Sequence, residues 1–247
     1  MMENKELKYL TGLNRVKNRY ESGYFFVEGK RLVESAISYD ANIKYIYATE
    51  SFLKEHNSLK DLIEKKNYTI NTILRKQLEK ISFTKNPSGI GALCKISEYS
   101  LDSSKNGKWL YLDEISDPGN LGTLLRSAAY FNFTNIALSK NCVDPYNPKV
   151  VRSAMGAHFK IELYLKVELN NFQNNYCVFG ADQNGDNYKD IQYPKNLILV
   201  LGNEAHGLSK KTVASLDNII SIKKTGFGES LNVGSAGSII MSHLSEI

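Results

Sequence analysis

The chain is poor in cysteine and histidine and has no long apolar run, and each absence removes a class of function. Its three cysteines, Cys94, Cys142 and Cys177, lie far apart among 247 residues, with no Cys-x-x-Cys pair and no histidine at metal-ligand spacing. They read as buried or idle thiols, and no metal site is expected. The opening residues, Met1-Met-Glu-Asn-Lys-Glu-Leu-Lys8, lack the apolar core of a signal peptide. No segment approaches the roughly 18 consecutive apolar residues that would span a bilayer. A soluble, cytoplasmic protein in a reducing compartment is the expectation. The net charge is only +5, enough to favour a polyanionic partner but far from a histone-like or disordered basic tail. No fixed-period repeat is present.

The hydrophobic content of 42% and the length allow two domains. In residues 5–20, Leu7, Leu10, Leu13 and Val16 recur at three-residue spacing among Lys5, Lys8, Arg15, Lys17 and Arg19, which predicts one basic amphipathic helix, either solvated or in contact with RNA. A strand at Tyr24–Val27 follows, then Glu28–Ala36 opens a helix, with Gly29 at the strand-to-helix switch. Strands are expected at Ile43–Tyr47, Tyr68–Thr72 and within Pro87–Ile96, with helices over 51–66 and Leu74–Ile81. The polar stretch Glu98–Gly107 reads as a linker. The organisation is therefore a small α/β domain over 1–97, a linker over 98–107 and an α/β domain over 108–247.

In the second domain, strands at Trp109–Leu112, Asn135–Leu138, Ile161–Leu165, Tyr176–Ala181 and Leu197–Leu201 alternate with helices at Leu121–Phe131 and Pro148–Met155. The near-continuous apolar runs predict a mostly parallel sheet covered on both faces, with ligand sites at the carboxyl ends of its strands.

Three segments interrupt that pattern: Asp117-Pro-Gly-Asn-Leu-Gly-Thr-Leu-Leu-Arg126, Leu199-Val-Leu-Gly-Asn-Glu-Ala-His-Gly-Leu-Ser209 and Ile222-Lys-Lys-Thr-Gly-Phe-Gly-Glu-Ser-Leu-Asn-Val233. Each joins a strand-like run to a polar turn, and together they predict one cleft for a nucleotide-like ligand. The first has neither the Gly-x-Gly-x-x-Gly spacing of a dinucleotide fold nor the Lys-Ser/Thr of a P-loop. Arg126, among Leu124, Leu125, Ala128 and Ala129, is either a structural ion pair or a fixed cation for an anionic substrate. Glu204 is either a caged carboxylate that accepts loop N–H groups or an orienter of Arg126. Gly202 permits close approach and Gly207 a positive φ. His206 reads as incidental, since no partner for a triad or metal accompanies it. Ser230 and Asn232 have a purely structural reading too, as N-cap residues of the helix from Val233.

In this order the three segments resemble the signature motifs of the SpoU/TrmH family of RNA ribose 2′-O-methyltransferases, part of the trefoil-knotted SPOUT class. Val151–Ile161 resembles the stretch the family carries between its first two motifs. In the first half, Asn18-Arg-Tyr20, Phe25–Val33 and Gly89-Ile-Gly-Ala92 resemble the family's substrate-binding extension, a small ribosomal-protein-like α/β domain. The resemblance implies a C-terminal segment threaded through a knot, a homodimer, S-adenosylmethionine as cofactor and RNA as substrate, ribosomal RNA ahead of transfer RNA. It makes Arg126, Asn120, Glu204, Ser230 and Asn232 the catalytic set. It assigns Ala181, Leu201, Gly202, Asn203, Ile222, Ser230 and Leu231 to the cofactor, and makes Arg15, Lys17, Arg19, Lys30, Arg31 and Arg152 candidate RNA contacts. In the family the arginine is the proposed activator of the hydroxyl; a guanidinium donates rather than accepts, which suits anchoring phosphate and stabilising charge on the oxygen. Two departures stand out: Lys223-Lys224 where the family usually has proline and an apolar residue, and Gly234-Ser-Ala-Gly237 in place of Ser-Val-Ala-Ala. The competing readings are a non-catalytic RNA-binding or ribosome-assembly factor that retains the knot, and a nucleotide-dependent small-molecule enzyme.

Overall fold

The computed structural model describes residues 2–102, 105–172 and 175–247, so Ser103 and Ser104 of the expected linker lie outside the described residues. The chain forms two compact units. One holds the residues up to Ile96 together with Asp144–Phe159, and the other holds Ser97–Val143 and Lys160–Ile247.

The first unit begins with α1 (Asn4–Gly12) and α2 (Val16–Ser22), where one continuous helix was expected. The break has a physical cause in the side chains that follow it. Asn18 Nδ2 donates to the Gly12 carbonyl at 2.8 Å, and Arg19 Nη1 donates to the carbonyls of Leu13 at 2.6 Å and Asn14 at 3.0 Å, so the acceptors that a continuous helix would use are satisfied by side chains. Leu10 and Leu13 are buried, whereas Val16, beyond the break, is half exposed.

Next come β1 (Tyr24–Glu28), α3 (Lys30–Ser38), β2 (Ile43–Ala48), α4 (Glu50–Glu55), α5 (Asn57–Lys65), β3 (Ile70–Thr72), α6 (Arg75–Ile81) and β4 (Ile90–Lys95). Gly29, at φ 105°, makes the expected switch from β1 into α3. The single helix expected over 51–66 is divided at His56, whose ring stacks on Phe52 at 4.1 Å and whose backbone leaves the helical region. The sheet order is β1-β4-β2-β3, with β4 antiparallel to both neighbours and β2 parallel to β3. All of Ile90–Cys94 is buried, as a central strand requires, and burial raises the Cys94 thiol pKa.

The second unit starts with β5 (Lys108–Leu112), α7 (Pro118–Tyr130) and β6 (Asn135–Leu138). The chain then passes through the first unit, where it forms α8 (Pro148–Ala154), and returns as β7 (Glu162–Leu165), β8 (Cys177–Asn187), β9 (Leu197–Leu201), α9 (Lys210–Val213), β10 (Asn218–Ser221) and α10 (Val233–Ser245). The six-stranded sheet, β10-β8-β9-β5-β6-β7, is parallel at every pairing. β9 is buried at all five positions, which is why Leu197–Leu201 reads as unbroken apolar sequence. β8 runs past the expected end at Ala181. Its partner in β10 shifts from Gly180 to Asp186 between Ile219 and Ile220, so residues 181–185 bulge out of the ladder. The close approach falls on a glycine: a Cβ on Gly185 would lie 2.6 Å from the Ile219 backbone.

The strand order explains where a site can form. β5 leads through α7 to β6 on one side, while its neighbour β9 leads through α9 to β10 on the other. The connections that leave their paired carboxyl ends therefore run to opposite sides, the arrangement at which open α/β sheets bind ligands. α10 closes down on this region through its small residues. A Cβ on Gly237 would come within 2.5 Å of Leu124 and 2.6 Å of Leu201, and Ser238 Oγ lies 2.7 Å from Ser127 Oγ on α7.

One expected RNA contact is corrected by the first unit. Arg19 is 2% exposed, and its guanidinium is committed to Asp144 through both Nε and Nη2 as well as to the two carbonyls at the helix break. Tyr20 adds a hydroxyl hydrogen bond to the same carboxylate at 2.7 Å. Arg19 is a structural ion pair, unavailable to phosphate. Arg19→Ala should destabilise the protein by about 3–5 kcal/mol, because it strands a nearly buried carboxylate, and urea unfolding measures that loss.

Candidate active site

The three segments all follow strand ends: the first leaves β5, the second leaves β9 and the third leaves β10. Their local conformations come from side chains of the types that the sequence supplies. Asp117 caps α7 by accepting from Asn120 N at 2.8 Å, and Pro118 occupies the first turn, where its missing N–H costs nothing. In the second segment Asn203 and Gly207 exchange backbone hydrogen bonds of 2.9 Å, which closes a tight turn. Gly207 has the expected positive φ of 68°. Gly202 tolerates no side chain, since a Cβ there would meet the Gly207 carbonyl carbon at 2.4 Å.

Glu204 connects this turn to the first segment. Its Oε2 accepts from Ser116 N at 3.3 Å and Ser116 Oγ at 3.1 Å, and its Oε1 accepts from Asp117 N at 3.1 Å and Asn120 Nδ2 at 3.0 Å. Asn120 continues the chain, because its Oδ1 accepts from Asn232 Nδ2 at 2.8 Å. Asn232 then caps α10, its Oδ1 accepting from Gly234 N at 2.9 Å and Ser235 N at 3.3 Å. Glu204, Asn120 and Asn232 thus form one relay through all three segments. Partial burial opposes ionisation of Glu204, but the hydrogen bonds from Asn120 and the backbone outweigh it and hold the carboxyl below its ordinary 4.5.

The structure does not join Glu204 to Arg126. Arg126 lies six residues beyond Asn120 on α7, about 9 Å along the axis. It is exposed and forms no hydrogen bond or ion pair among the described residues. Of the two readings of Glu204, the caged carboxylate is the one observed; orientation of Arg126 by Glu204 is corrected. Ser230 and Leu231 are exposed, and the Ser230 hydroxyl carries no cap, so of the two N-cap candidates only Asn232 fills that place.

Of the residues assigned to a cofactor, Leu201 ends β9 and Gly202 and Asn203 follow it, Ile222 follows β10, Ala181 lies inside β8 where its bulge begins, and Ser230 and Leu231 lie in the loop before α10. Gly180, paired with Val200, is the last residue of β8 in register with β9, and β8, β9 and β10 run parallel. Asn203 is tied on several sides within the protein. Its Nδ2 donates to the Glu114 carbonyl at 2.7 Å, its Oδ1 accepts from Ala205 N and His206 N, and its backbone closes the turn.

Sequence reasoning missed Asp113. This aspartate is 3% exposed, and its Oδ2 accepts from Ser209 N at 2.8 Å, a second tie between the first two segments. The available signal was its place as the first polar residue after the apolar run Trp109–Leu112. Glu114 beside it adopts φ 57°, an uncommon conformation for a residue with a side chain, and its carboxylate accepts from Asn141 Nδ2 at 2.7 Å. Of the candidate RNA contacts, Arg15, Lys17, Arg31 and Arg152 are exposed and Lys30 is partly so; Lys17 and Lys30 pair loosely with Glu21 and Glu34.

A family model described as the SpoU rRNA Methylase family matches residues 108–242, and one described as the MRM3-like substrate binding domain matches residues 4–92. The chain is 28% identical over 248 residues to the 23S rRNA (guanosine(2553)-2′-O)-methyltransferase RlmP of Bacillus subtilis, covering 98% of this chain and 96% of that protein. It is 31% identical over 191 residues to rRNA methyltransferase 3, mitochondrial, of Mus musculus, spanning 70% of this chain and 43% of that one. Among solved structures, the fold is shared with the SpoU methyltransferase AviRb from Streptomyces viridochromogenes in complex with AdoMet, at TM-score 0.88 and 20% identity, covering 99% and 98% of the two chains. An AdoMet-bound rRNA methyltransferase from Sinorhizobium meliloti shares it at TM-score 0.82 and 24% identity, covering 98% and 94%.

The lowered Glu204 pKa fixes a direction with pH. A carboxyl that is more acidic in the folded protein contributes fully above its ordinary 4.5 and loses that contribution as pH falls through the folded value. Hydrogen-exchange protection of the Ser116 and Asp117 amides should hold at neutral pH and be lost only as pH falls through the lowered folded value, beneath the ordinary 4.5, and Glu204→Gln should remove it at neutral pH.

Proposed function

This chain belongs to the SpoU rRNA methylase family, and we propose that it transfers a methyl group from S-adenosylmethionine to a ribose 2′-hydroxyl of ribosomal RNA. The observation that carries this reading is the Glu204–Asn120–Asn232 relay, which assembles the three signature segments at the switch point of a parallel sheet. The full-length similarity to a ribosomal RNA 2′-O-methyltransferase and the match of residues 4–92 to a substrate-binding domain support ribosomal RNA as the substrate class. They also favour catalysis over a purely RNA-binding or assembly role.

The cofactor residues have the right chemistry. Gly202 and Ala181 carry almost no side chain, which suits close approach of a flat base. Ile222 and the half-exposed Leu231 offer apolar surface to it, and the Ser230 hydroxyl is uncommitted. Bound there, S-adenosylmethionine supplies an electrophilic methyl on a cationic sulfur. The chain's task is to bring the ribose hydroxyl into line with it, and positioning of this kind contributes much of the rate.

Arg126 is the residue that faces the reacting oxygen. It makes no hydrogen bond or ion pair among the described residues, and a guanidinium offers only donors, so it serves to anchor an adjacent phosphate and stabilise charge on the 2′-oxygen. The proton leaves to phosphate or water. Asn120 is held at both ends of its amide, so its role is to position the first segment. Asn232 has spent its oxygen on the cap of α10 and one N–H on Asn120, which leaves it one N–H for a ribose hydroxyl. Glu204 acts through Asn120 rather than on substrate.

Residues 1–97 hold the RNA through Arg15, Lys17, Lys30 and Arg31, with Arg152 as a further phosphate contact, and 108–247 carry out catalysis. The enzyme works as a homodimer in the cytoplasm, its site completed across the interface. The knotted path of the C-terminal segment belongs to the same reading.

The test is methylation of total ribosomal and transfer RNA with labelled S-adenosylmethionine, mapped by nuclease digestion and mass spectrometry. A single 2′-O-methylated nucleotide in ribosomal RNA is expected. Arg126→Ala should lower kcat by about 10²–10³-fold, the range for loss of one charge-stabilising donor, while cofactor affinity stays unchanged. Label confined to transfer RNA, or transfer undiminished in the variant, would overturn the assignment.

A further inference from the structure

The third segment carries a side chain that neither the relay nor the cofactor residues explain. Phe227 is fully exposed, at 109% of its reference area, among the large hydrophobic residues that reach solvent. It is flanked by Gly226 and Gly228, around which a Cβ would meet nothing within 4 Å, so neighbouring groups do not confine the loop. The loop still has one internal tie: Lys224 Nζ donates to the Gly228 carbonyl at 2.8 Å and holds its two limbs together. Lys223 is exposed and makes no hydrogen bond or ion pair among the described residues. Two residues, Glu229 and Ser230, separate Gly228 from Leu231, and the next residue is Asn232 of the relay.

We propose that Phe227 is a base-stacking residue for the RNA substrate and that Lys223 contacts a phosphate beside the stacked nucleotide. This rests on the reading of the chain as an RNA methyltransferase. Nothing in the fold requires an aromatic ring at this position, and leaving it in water has no structural return. A ribose hydroxyl can enter an active site only if its nucleotide is presented outside regular stacking, so a base near the target loses a stacking partner. A solvent-facing aromatic ring beside the site replaces that partner for any base, while free ammonium charge nearby suits the backbone. Charge decides against the other occupants. In a two-fold contact between copies at this loop, Lys223 and Lys224 would meet their own equivalents. A lid over a sulfonium cofactor would bring the same lysines toward a cation.

The experiment uses the full chain and a labelled single-stranded oligoribonucleotide of mixed sequence, with calorimetry of S-adenosylmethionine and sedimentation in parallel. Phe227→Ala should weaken RNA binding about tenfold, within the range that loss of one base–aromatic stack produces, and Phe227→Trp should restore it. Lys223→Ala should reduce the slope of log affinity against log salt by about 0.7, the value for one single-strand phosphate contact. Cofactor affinity and sedimentation should not change in any variant. The proposal is overturned by unchanged RNA affinity in Phe227→Ala, by absence of RNA binding in the native chain, by loss of cofactor affinity, which would make the ring a lid, or by dissociation of a dimer, which would make it a contact between copies. Failure of the catalytic reading is separable: a native chain that transfers no methyl but still loses RNA affinity in Phe227→Ala would sink the first reading and keep this one.

Discussion

The site depends on the Glu204 carboxylate, which gathers donors from a different strand end. Each of the three segments alone is a polar turn after a buried strand, with many conformations open to it. Glu204 accepts from Ser116, Asp117 and Asn120, Asn120 accepts from Asn232, and Asn232 caps α10, so the order of one segment is imposed on the next. A charged acceptor suits this place because hydrogen bonds to an ionised group are stronger than neutral ones. It also lies beside the N-terminus of α7, where the helix dipole favours negative charge. Asp113 repeats the device one layer deeper through Ser209.

What makes the relay possible is sheet topology and close packing. Connections from β5 and β9 run to opposite sides, and the glycine-rich face of α10 allows that helix to approach Leu124 and Leu201 closely enough for Asn232 to reach Asn120. The departure from the family pattern at Gly234–Gly237 therefore preserves the property that matters, small volume. The departure at Lys223-Lys224 differs in kind. It places positive charge in an exposed loop and leaves the relay untouched.

Asparagine and arginine each appear in two roles that their sequence context does not separate. Asn120 and Asn232 hold elements together through both ends of their amides, and Asn203 uses its oxygen on its own turn and its Nδ2 on the Glu114 carbonyl of the first segment. Arg19 and Arg126 both stand in helical sequence near apolar residues. Arg19 is consumed by Asp144 and two freed carbonyls, whereas Arg126 points a free guanidinium at solvent. The difference arises from a residue more than a hundred positions away in the case of Arg19, and from the lack of any such partner among the described residues in the case of Arg126.

The sequence by itself determined the parallel α/β layout, because strands buried on both faces must read as unbroken apolar runs such as Leu197–Leu201. It determined the three site segments, because glycine, asparagine and proline mark turns through local backbone chemistry, and Gly207 took the positive φ which that reading allowed. It also determined the family, through motifs whose order and spacing are specific. Tertiary structure alone decided which acceptor each donor finds: that Glu204 holds Asn120 and not Arg126, that Arg19 is a buried ion pair, and that β8 bulges at 181–185 and continues to Asn187. These are contacts between residues distant in the chain, and hydrophobic period and turn chemistry carry no information about which distant groups the folded sheet will bring within 3 Å of one another.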